Sequence, residues 1–203
     1  MKKAIGIIDY GAGNLSSVSG CFQRLGYHTR IVNSPDGWYG IDAMILPGVG
    51  AFGSAMHALS EGGFCDELNV WVQEGKPLLG ICLGMQLFAD ISYEFGTTAG
   101  LGFIPGVVKP IADPAWHIGW NSLAFHDRAP MGLKRQDGGE VYFNHSFEFH
   151  TADEHILGVT DIGRPLVAII RNANVVGVQF HPEKSQLCGM KVMSTLLEDM
   201  LDA

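Results

Sequence analysis

The sequence predicts an α/β protein: an open, mostly parallel central sheet flanked by helices, with additional antiparallel strands. Three observations carry that prediction. Short runs that are apolar throughout alternate with helix-length spans in the first half of the chain. Such runs are strands buried on both faces, and helical layers on either side of a parallel sheet are what bury them. After Gly102 the pattern changes to segments that alternate, or carry β-branched and aromatic residues, between Pro and Gly turns. Those read as antiparallel strands added to the sheet or packed on it.

In order along the chain, Ala4-Ile5-Gly6-Ile7-Ile8 is the first strand, ended by Asp9-Tyr10-Gly11-Ala12-Gly13-Asn14. A helix is expected from about Leu15 to Leu25, then strands at Thr29–Val32 and Ala43–Leu46. Helical spans follow at roughly Phe52–Leu59 and Phe64–Glu74, and Leu78-Leu79-Gly80-Ile81 makes a fourth strand. The later strands centre on Val107, Asn121, Val141, Phe147, Leu157, Val167 and Val176. Lys184 to Leu201 closes the chain as an amphipathic helix with Met190, Met193, Leu196, Leu197 and Met200 on its apolar side. No repeat, low-complexity stretch or linker interrupts this order, so residues 1–203 are expected to form one domain.

Composition limits the class. Hydrophobic residues make up 47% and charged residues 17%, as in an ordered globular protein. The net charge of −8 is spread without long runs, which argues against nucleic acid or an anionic membrane as partner. Asp9 ends the first apolar run too early for a secretory signal. The four cysteines, Cys21, Cys65, Cys82 and Cys188, form no C-x-x-C pair or zinc-ligand cluster, and the expected compartment is a reducing cytoplasm.

Cys82 stands apart from the other three. It ends an apolar strand, has Gly80 and Gly84 two residues to either side, and leads into an expected helix. That is the pattern of a nucleophile elbow, in which a sharp turn thrusts the thiol outward and small neighbours let strand and helix close around it. Backbone N–H groups at such a turn favour a thiolate, and the N–H of Leu83 is placed to meet an oxyanion. Alone, the pattern leaves two readings open: an activated nucleophile, or a buried residue at a strand end. Nearly a hundred residues later, Val175–Phe180 delivers His181-Pro182-Glu183. Pro182 biases His181 to an extended conformation, and two-residue spacing puts His181 and Glu183 on one side. The imidazole can then take the thiol proton while the carboxylate fixes its tautomer. The order Cys, His, then Glu beside the His is not that of α/β-hydrolases.

Together these residues resemble the class I, triad-type glutamine amidotransferases, and more narrowly the glutaminase subunits of imidazole glycerol phosphate synthase. The resemblance covers essentially the whole chain: Asp9–Asn14, Leu46-Pro47-Gly48-Val49-Gly50-Ala51-Phe52, Gly80-Ile81-Cys82-Leu83-Gly84-Met85-Gln86, Gly119-Trp120-Asn121, Tyr142-Phe143 before His145-Ser146, and Phe180–Ser185. It implies a flavodoxin-like sheet and the hydrolysis of glutamine through a γ-glutamyl thioester on Cys82, with His181 and Glu183 completing the triad. Leu83, Val49 and Gly50 are implied as oxyanion residues, and Gln86, Gly48, Gly50, His145, Ser146 and Phe147 in binding glutamine. No cofactor or metal is implied.

Nothing in the sequence accounts for an ammonia acceptor, which places that chemistry on another chain. The resemblance implies a heterodimer with a (β/α)₈-barrel cyclase, faced by Trp120, Asn121, Tyr142 and Lys184, that makes imidazole glycerol phosphate and aminoimidazole carboxamide ribotide in histidine biosynthesis. Two positions depart from the family pattern: Trp116 stands where proline is usual, and Asn144 where valine is. A sister glutaminase that feeds an amidino-sugar synthase therefore stays open, as does a catalytically silent interaction subunit.

Overall fold

The computed structural model describes residues 3–202. The first half runs β1 (Ala4–Ile8), α1 (Leu15–Arg24), β2 (His28–Val32), β3 (Ala43–Leu46), α2 (Phe52–Glu61), α3 (Phe64–Gln73), β4 (Leu78–Ile81) and α4 (Leu83–Gln86). Two short strands, β5 (Ile91–Ser92) and β6 (Thr98–Ala99), precede β7 (Val107–Pro110), β8 (His117–Ser122), β9 (Ala124–Phe125) and α5 (Met131–Lys134). The chain finishes with β10 (Glu140–His145), β11 (Phe147–His150), β12 (Ile156–Asp161), β13 (Pro165–Asn172), β14 (Val175–Val178) and α6 (Gln186–Leu201).

The main sheet has the order β2-β1-β3-β4-β14-β13-β12-β9. Its first five strands are parallel and its last three continue antiparallel, so the mixed α/β sheet expected from the sequence is present. Period-two alternation divides the strand side chains between two apolar layers. Ile5, Ile7, Ala43, Ile45, Leu79, Ile81, Val176 and Val178 face α1 and α6, whose Val18, Phe22, Val192, Met193, Leu196 and Leu197 cover them. Ile8, Met44, Leu46, Leu78 and Val175 face α2 and α3 through Phe52, Leu59, Phe64, Leu68 and Trp71. Each of these large side chains contributes about 1.5–3 kcal/mol on burial, and so the apolar runs dictate the layering. α1 begins where the N-cap Asn14 accepts a hydrogen bond from the Ser17 N–H at 3.2 Å.

Two smaller sheets stand apart from the main one: a β10–β8 ribbon and a four-stranded sheet of order β11-β7-β5-β6. β14 differs from the antiparallel pairing expected after Gly102, because it joins β4 in parallel as the fifth strand. The helix expected after Cys82 is only one turn. The carbonyls of Leu87, Phe88 and Ala89 instead accept from the N–H groups of Leu101, Ile104 and Gly102, which draws the chain out of helical register. The last helix starts two residues later than expected, after a 3₁₀ turn at Pro182–Lys184 and a positive φ of 48° at Gln186.

Glycines build the seat for α4. Gly80 and Gly177 are direct neighbours across β4 and β14. A Cβ on Gly80 would lie 2.6 Å from both the Gly84 carbonyl oxygen and Phe88, and one on Gly177 would lie 2.6 Å from Met85 Cγ. A Cβ on Gly84 would overlap the carbonyl oxygen of Leu46 in β3. Backbone on that side cannot retreat as a flexible side chain could. Gly84→Ala should therefore destabilise the fold by about 3 kcal/mol, measured as a loss in denaturant midpoint, whereas Gly11→Ala, with nothing within 4 Å of its added Cβ, should cost less.

Candidate active site

Cys82 sits between β4 and α4 with φ 55° and ψ −110°, a conformation that non-glycine residues rarely adopt. Holding it there costs about 1–3 kcal/mol, a strain that the surrounding packing must over-determine. Its N–H donates to the Val178 carbonyl at 2.8 Å, its carbonyl accepts from Met85 and Gln86, and the glycine seat presses α4 onto the sheet. Leu83 is the first residue of α4, so its N–H has no acceptor within the helix. Cys82 lines the foot of a pocket and as a residue is only 6% exposed.

β14 carries His181 to the same place. The His181 N–H donates to the Tyr142 carbonyl at 2.9 Å, and Ser185 Oγ donates to the His181 carbonyl at 2.6 Å while accepting from the Tyr142 N–H at 2.9 Å. Ser185, fully buried, thus pins the main chain of His181 to β10. His181 Nδ1 donates to Glu183 Oε1 at 2.9 Å, which leaves Nε2 to share a hydrogen bond with the Cys82 thiol. Burial alone would lower the His181 pKa. The hydrogen bonds and charges of Cys82 and Glu183 outweigh it and raise the imidazole to about 9. The imidazole is thus held between the thiol and the carboxylate, in the line that proton transfer from the sulfur requires.

Above the sulfur opens a cavity of about 170 Å³, suited to an amino-acid-sized molecule and not to a drug-sized one. Its walls bring together Val49, Gly50, Cys82, Leu83, Gln86, His145, Ser146, Phe147 and His181 from the sequence-predicted set. Gly48 lies behind this wall and lines a smaller cavity of about 60 Å³. A Cβ there would meet Tyr10 Oη at 2.7 Å and Leu83 Cβ at 2.9 Å, so Gly48 lets the Pro47–Gly50 loop close on the elbow. Tyr10 completes that contact by donating to the Pro47 carbonyl at 2.9 Å. The His145 ring faces the pocket with both nitrogens engaged, by the Phe147 carbonyl and by His117. Burial drives its pKa down to about 4, against the raising effect of the Phe147 carbonyl.

A thiol, an imidazole and a carboxylate in line, under a pocket with an unsatisfied N–H at the elbow, can perform acyl transfer through a thioester. Comparison with known proteins names the family. The family model described as "Glutamine amidotransferase class-I" matches residues 6–195. The chain belongs to the class I glutamine amidotransferases. Among curated relatives, a Desulfitobacterium hafniense protein named "Imidazole glycerol phosphate synthase subunit HisH" is 44% identical over 93% of this chain and 91% of its own. A Geobacillus sp. protein of the same name is 45% identical over 93% of each chain. A solved structure described as a glutamine amidotransferase superposes with a TM-score of 0.77 at 21% identity, covering 98% of this chain and 99% of the other. A chain from the "Structure of PurLQS from Thermotoga maritima" gives 0.79 at 18% identity over 98% and 100%. These two carry the fold alone.

The amidotransferase's pocket also gathers residues that motif reading passes over. Glu94 lines the pocket, and its Oε2 accepts from the Phe52 N–H at 2.6 Å, which fixes a carboxylate at the start of α2. Gln179 is fully buried, with Nε2 donating to Cys82 Sγ at 3.8 Å. A lone amide within the apolar run Val175–Phe180 is the signal for it; Glu94 offers only its period-two spacing from buried Ser92. Lys184 also lines the pocket, and Trp120 and Tyr142 cluster with it. The Trp120 and Tyr142 rings meet edge-on at 6.0 Å, and Lys184 Nζ lies 5.5 Å over Tyr142. Asn121, one residue on, turns to the opposite face of β8, where its amide donates to the Asp161 carbonyl.

The raised His181 pKa has a direct test. Its imidazolium stabilises the fold fully below the ordinary value of 6.5, and that contribution is lost as pH rises through about 9. Nuclear magnetic resonance of ring-labelled histidine should show His181 titrating near 9. In Cys82→Ala the midpoint should fall, because the thiol's hydrogen bond and charge are removed; an unmoved midpoint would rule out that cause.

Proposed function

We propose that this amidotransferase is the glutaminase subunit of an imidazole glycerol phosphate synthase, a single domain working in the cytoplasm beside a cyclase subunit. The observation that carries the reading is the Cys82–His181–Glu183 line opening on an amino-acid-sized pocket. The relatives named for that synthase over nearly the full chain support the choice of pathway. No helix among the described residues is long and apolar enough to cross a membrane.

In this reading glutamine enters with its side-chain amide over Cys82. The thiolate attacks the amide carbon, and the oxyanion meets the N–H of Leu83, with Val49 and Gly50 supplying the opposite side of the hole. His181 gives its proton to the leaving nitrogen, the C–N bond breaks and ammonia departs from a γ-glutamyl thioester. Water, deprotonated by His181, then releases glutamate and restores the thiol. Glu94, Gln86, Ser146 and the backbone around His145 and Phe147 hold the amino-acid end, Glu94 offering its carboxylate to the α-ammonium. Gly48 acts from behind the wall by keeping the Pro47–Gly50 loop against the elbow.

Free ammonia would be protonated in water, so the pocket mouth is where a cyclase of (β/α)₈-barrel form would dock. Trp120, Tyr142 and Lys184 form the centre of that face, with Asn121 supporting it from behind. Exposed Ile118 extends the apolar surface, in keeping with an aromatic interface core. A second reading, ammonia delivery to a different synthase, draws on Trp116 and Asn144. Both are exposed, and Asn144 lines the pocket itself.

Reconstitution with a histidine-pathway cyclase tests the proposal. Cys82→Ala should abolish glutamine-dependent synthesis, a loss of at least about 10³-fold for a covalent nucleophile, while synthesis from added ammonia continues. Failure of ammonia to rescue this variant would overturn the division of labour. Glutamine hydrolysis that ignores the cyclase and its ligand would favour the second reading.

A further inference from the structure

One carbonyl joins two sides of the pocket. Phe147 O accepts from His145 Nδ1 at 2.8 Å and from Gln86 Nε2 at 3.1 Å. A backbone carbonyl can only accept, so it fixes the polarity of everything bonded beyond it. On one side, Gln86 must present its nitrogen to Phe147, and the second N–H of that nitrogen donates to Gln179 Oε1 at 2.9 Å. Gln179 is thereby turned with Nε2 toward Cys82 Sγ, at 3.8 Å. On the other side, His145 must carry its proton on Nδ1. Its Nε2 then accepts from His117 Nδ1 at 3.1 Å, and His117 Nε2 accepts from the Asn121 amide at 3.3 Å.

Each link follows from the one before without a choice of donor. Gln86, Gln179, His117 and His145 are all buried. Water cannot replace a lost partner cheaply in such surroundings, and a buried network of this kind responds as a unit. The lowered pKa values of His117 and His145, both caused first by burial, keep the rings neutral as this polarity requires. The His117 ring also stacks on Phe143 at 4.3 Å, which holds it in line.

We propose that Gln179 is a positioning residue for the nucleophile, holding an amide N–H on the Cys82 sulfur, and that the Phe147 carbonyl links this donor to the His117–His145 pair, so that a change at His117 is felt at the thiol. The donor favours the thiolate and restrains where the sulfur points before glutamine arrives. His181 and the phenol of Tyr10 lie beside the thiol, and Glu94 and Lys184 line the same pocket. None of these belongs to the chain of bonds. The inference rests on the nucleophile reading of Cys82 and needs neither the cyclase nor glutamine.

The test is alkylation of the intact protein by iodoacetamide across pH, with each cysteine peptide followed by mass spectrometry. Gln179→Met keeps volume and removes the donor. His117→Phe keeps the stack on Phe143 and removes the proton donated to His145. On the acidic limb, Gln179→Met should slow Cys82 alkylation roughly three- to tenfold, moving the curve to higher pH, as loss of a donor to a charged group implies. His117→Phe should slow it roughly twofold, and the double variant should match Gln179→Met alone, because linked residues do not add. Cys65 and Cys188, both partly exposed, serve as internal references whose rates should not change.

If those references speed up in Gln179→Met, Gln179→Glu replaces it. That variant keeps the acceptor for Gln86, places a carboxylate oxygen on the sulfur, and should move the curve further. Curves that superimpose on the wild type would overturn the role of Gln179. Factors that multiply in the double variant would overturn the link through Phe147. A wild-type Cys82 no more reactive than Cys65 and Cys188 would instead remove the nucleophile reading itself, so the two failures are distinguishable.

Discussion

The carbonyl oxygen of Leu46 occupies the space where a side chain on residue 84 would be, and the catalytic geometry depends on that contact. With glycine there, α4 descends until Met85 and Phe88 fill the hollow over Gly80 and Gly177. The strand-to-helix corner is then so tight that Cys82 has no relaxed conformation available. Its strained backbone is a consequence of the packing on both sides and no property of cysteine. A sheet whose neighbouring strands carried side chains at those two positions would lift the helix, relax the corner and lower the thiol away from the histidine.

His181 arrives on the strand next to β4, which is why chain separation of nearly a hundred residues becomes hydrogen-bond distance. Parallel pairing of β14 with β4 sets the height at which it emerges, and Ser185 and the Tyr142 carbonyl set its rotation. The β10–β8 ribbon has two roles because of this. Its inner side steadies the base, and its outer side presents Trp120 and Tyr142. A molecule docking on that ribbon would press on the element that holds the imidazole in place.

The sequence made the parallel half of the sheet legible, because residues such as Ile5, Ile45 and Leu79 admit no exposed face. The thiol, imidazole and carboxylate were legible too, through short spacings that have few alternative uses. What stayed hidden was long-range or negative in character. Nothing local marks Glu94, whose importance comes from reaching the Phe52 N–H across forty-two positions. The length of α4 was hidden because the N–H groups that end it belong to residues 101–104. Asn121 read as a surface residue from its place beside Trp120, and only strand alternation turns it inward. β14 looked like its antiparallel neighbours because pairing direction leaves no trace in composition.

The pocket's two histidines are held in opposite states, His181 raised to about 9 and His145 lowered to about 4. At neutral pH one ring is a cation and the other a neutral link, although both started from the same ordinary value. The His181 shift carries that ring through physiological pH and beyond it, and the His145 shift carries the other further below. Across the interval between them, the imidazole charges in this site are fixed. The two rings are in that respect deaf to the acidity of their surroundings, and what acts on them there is contact.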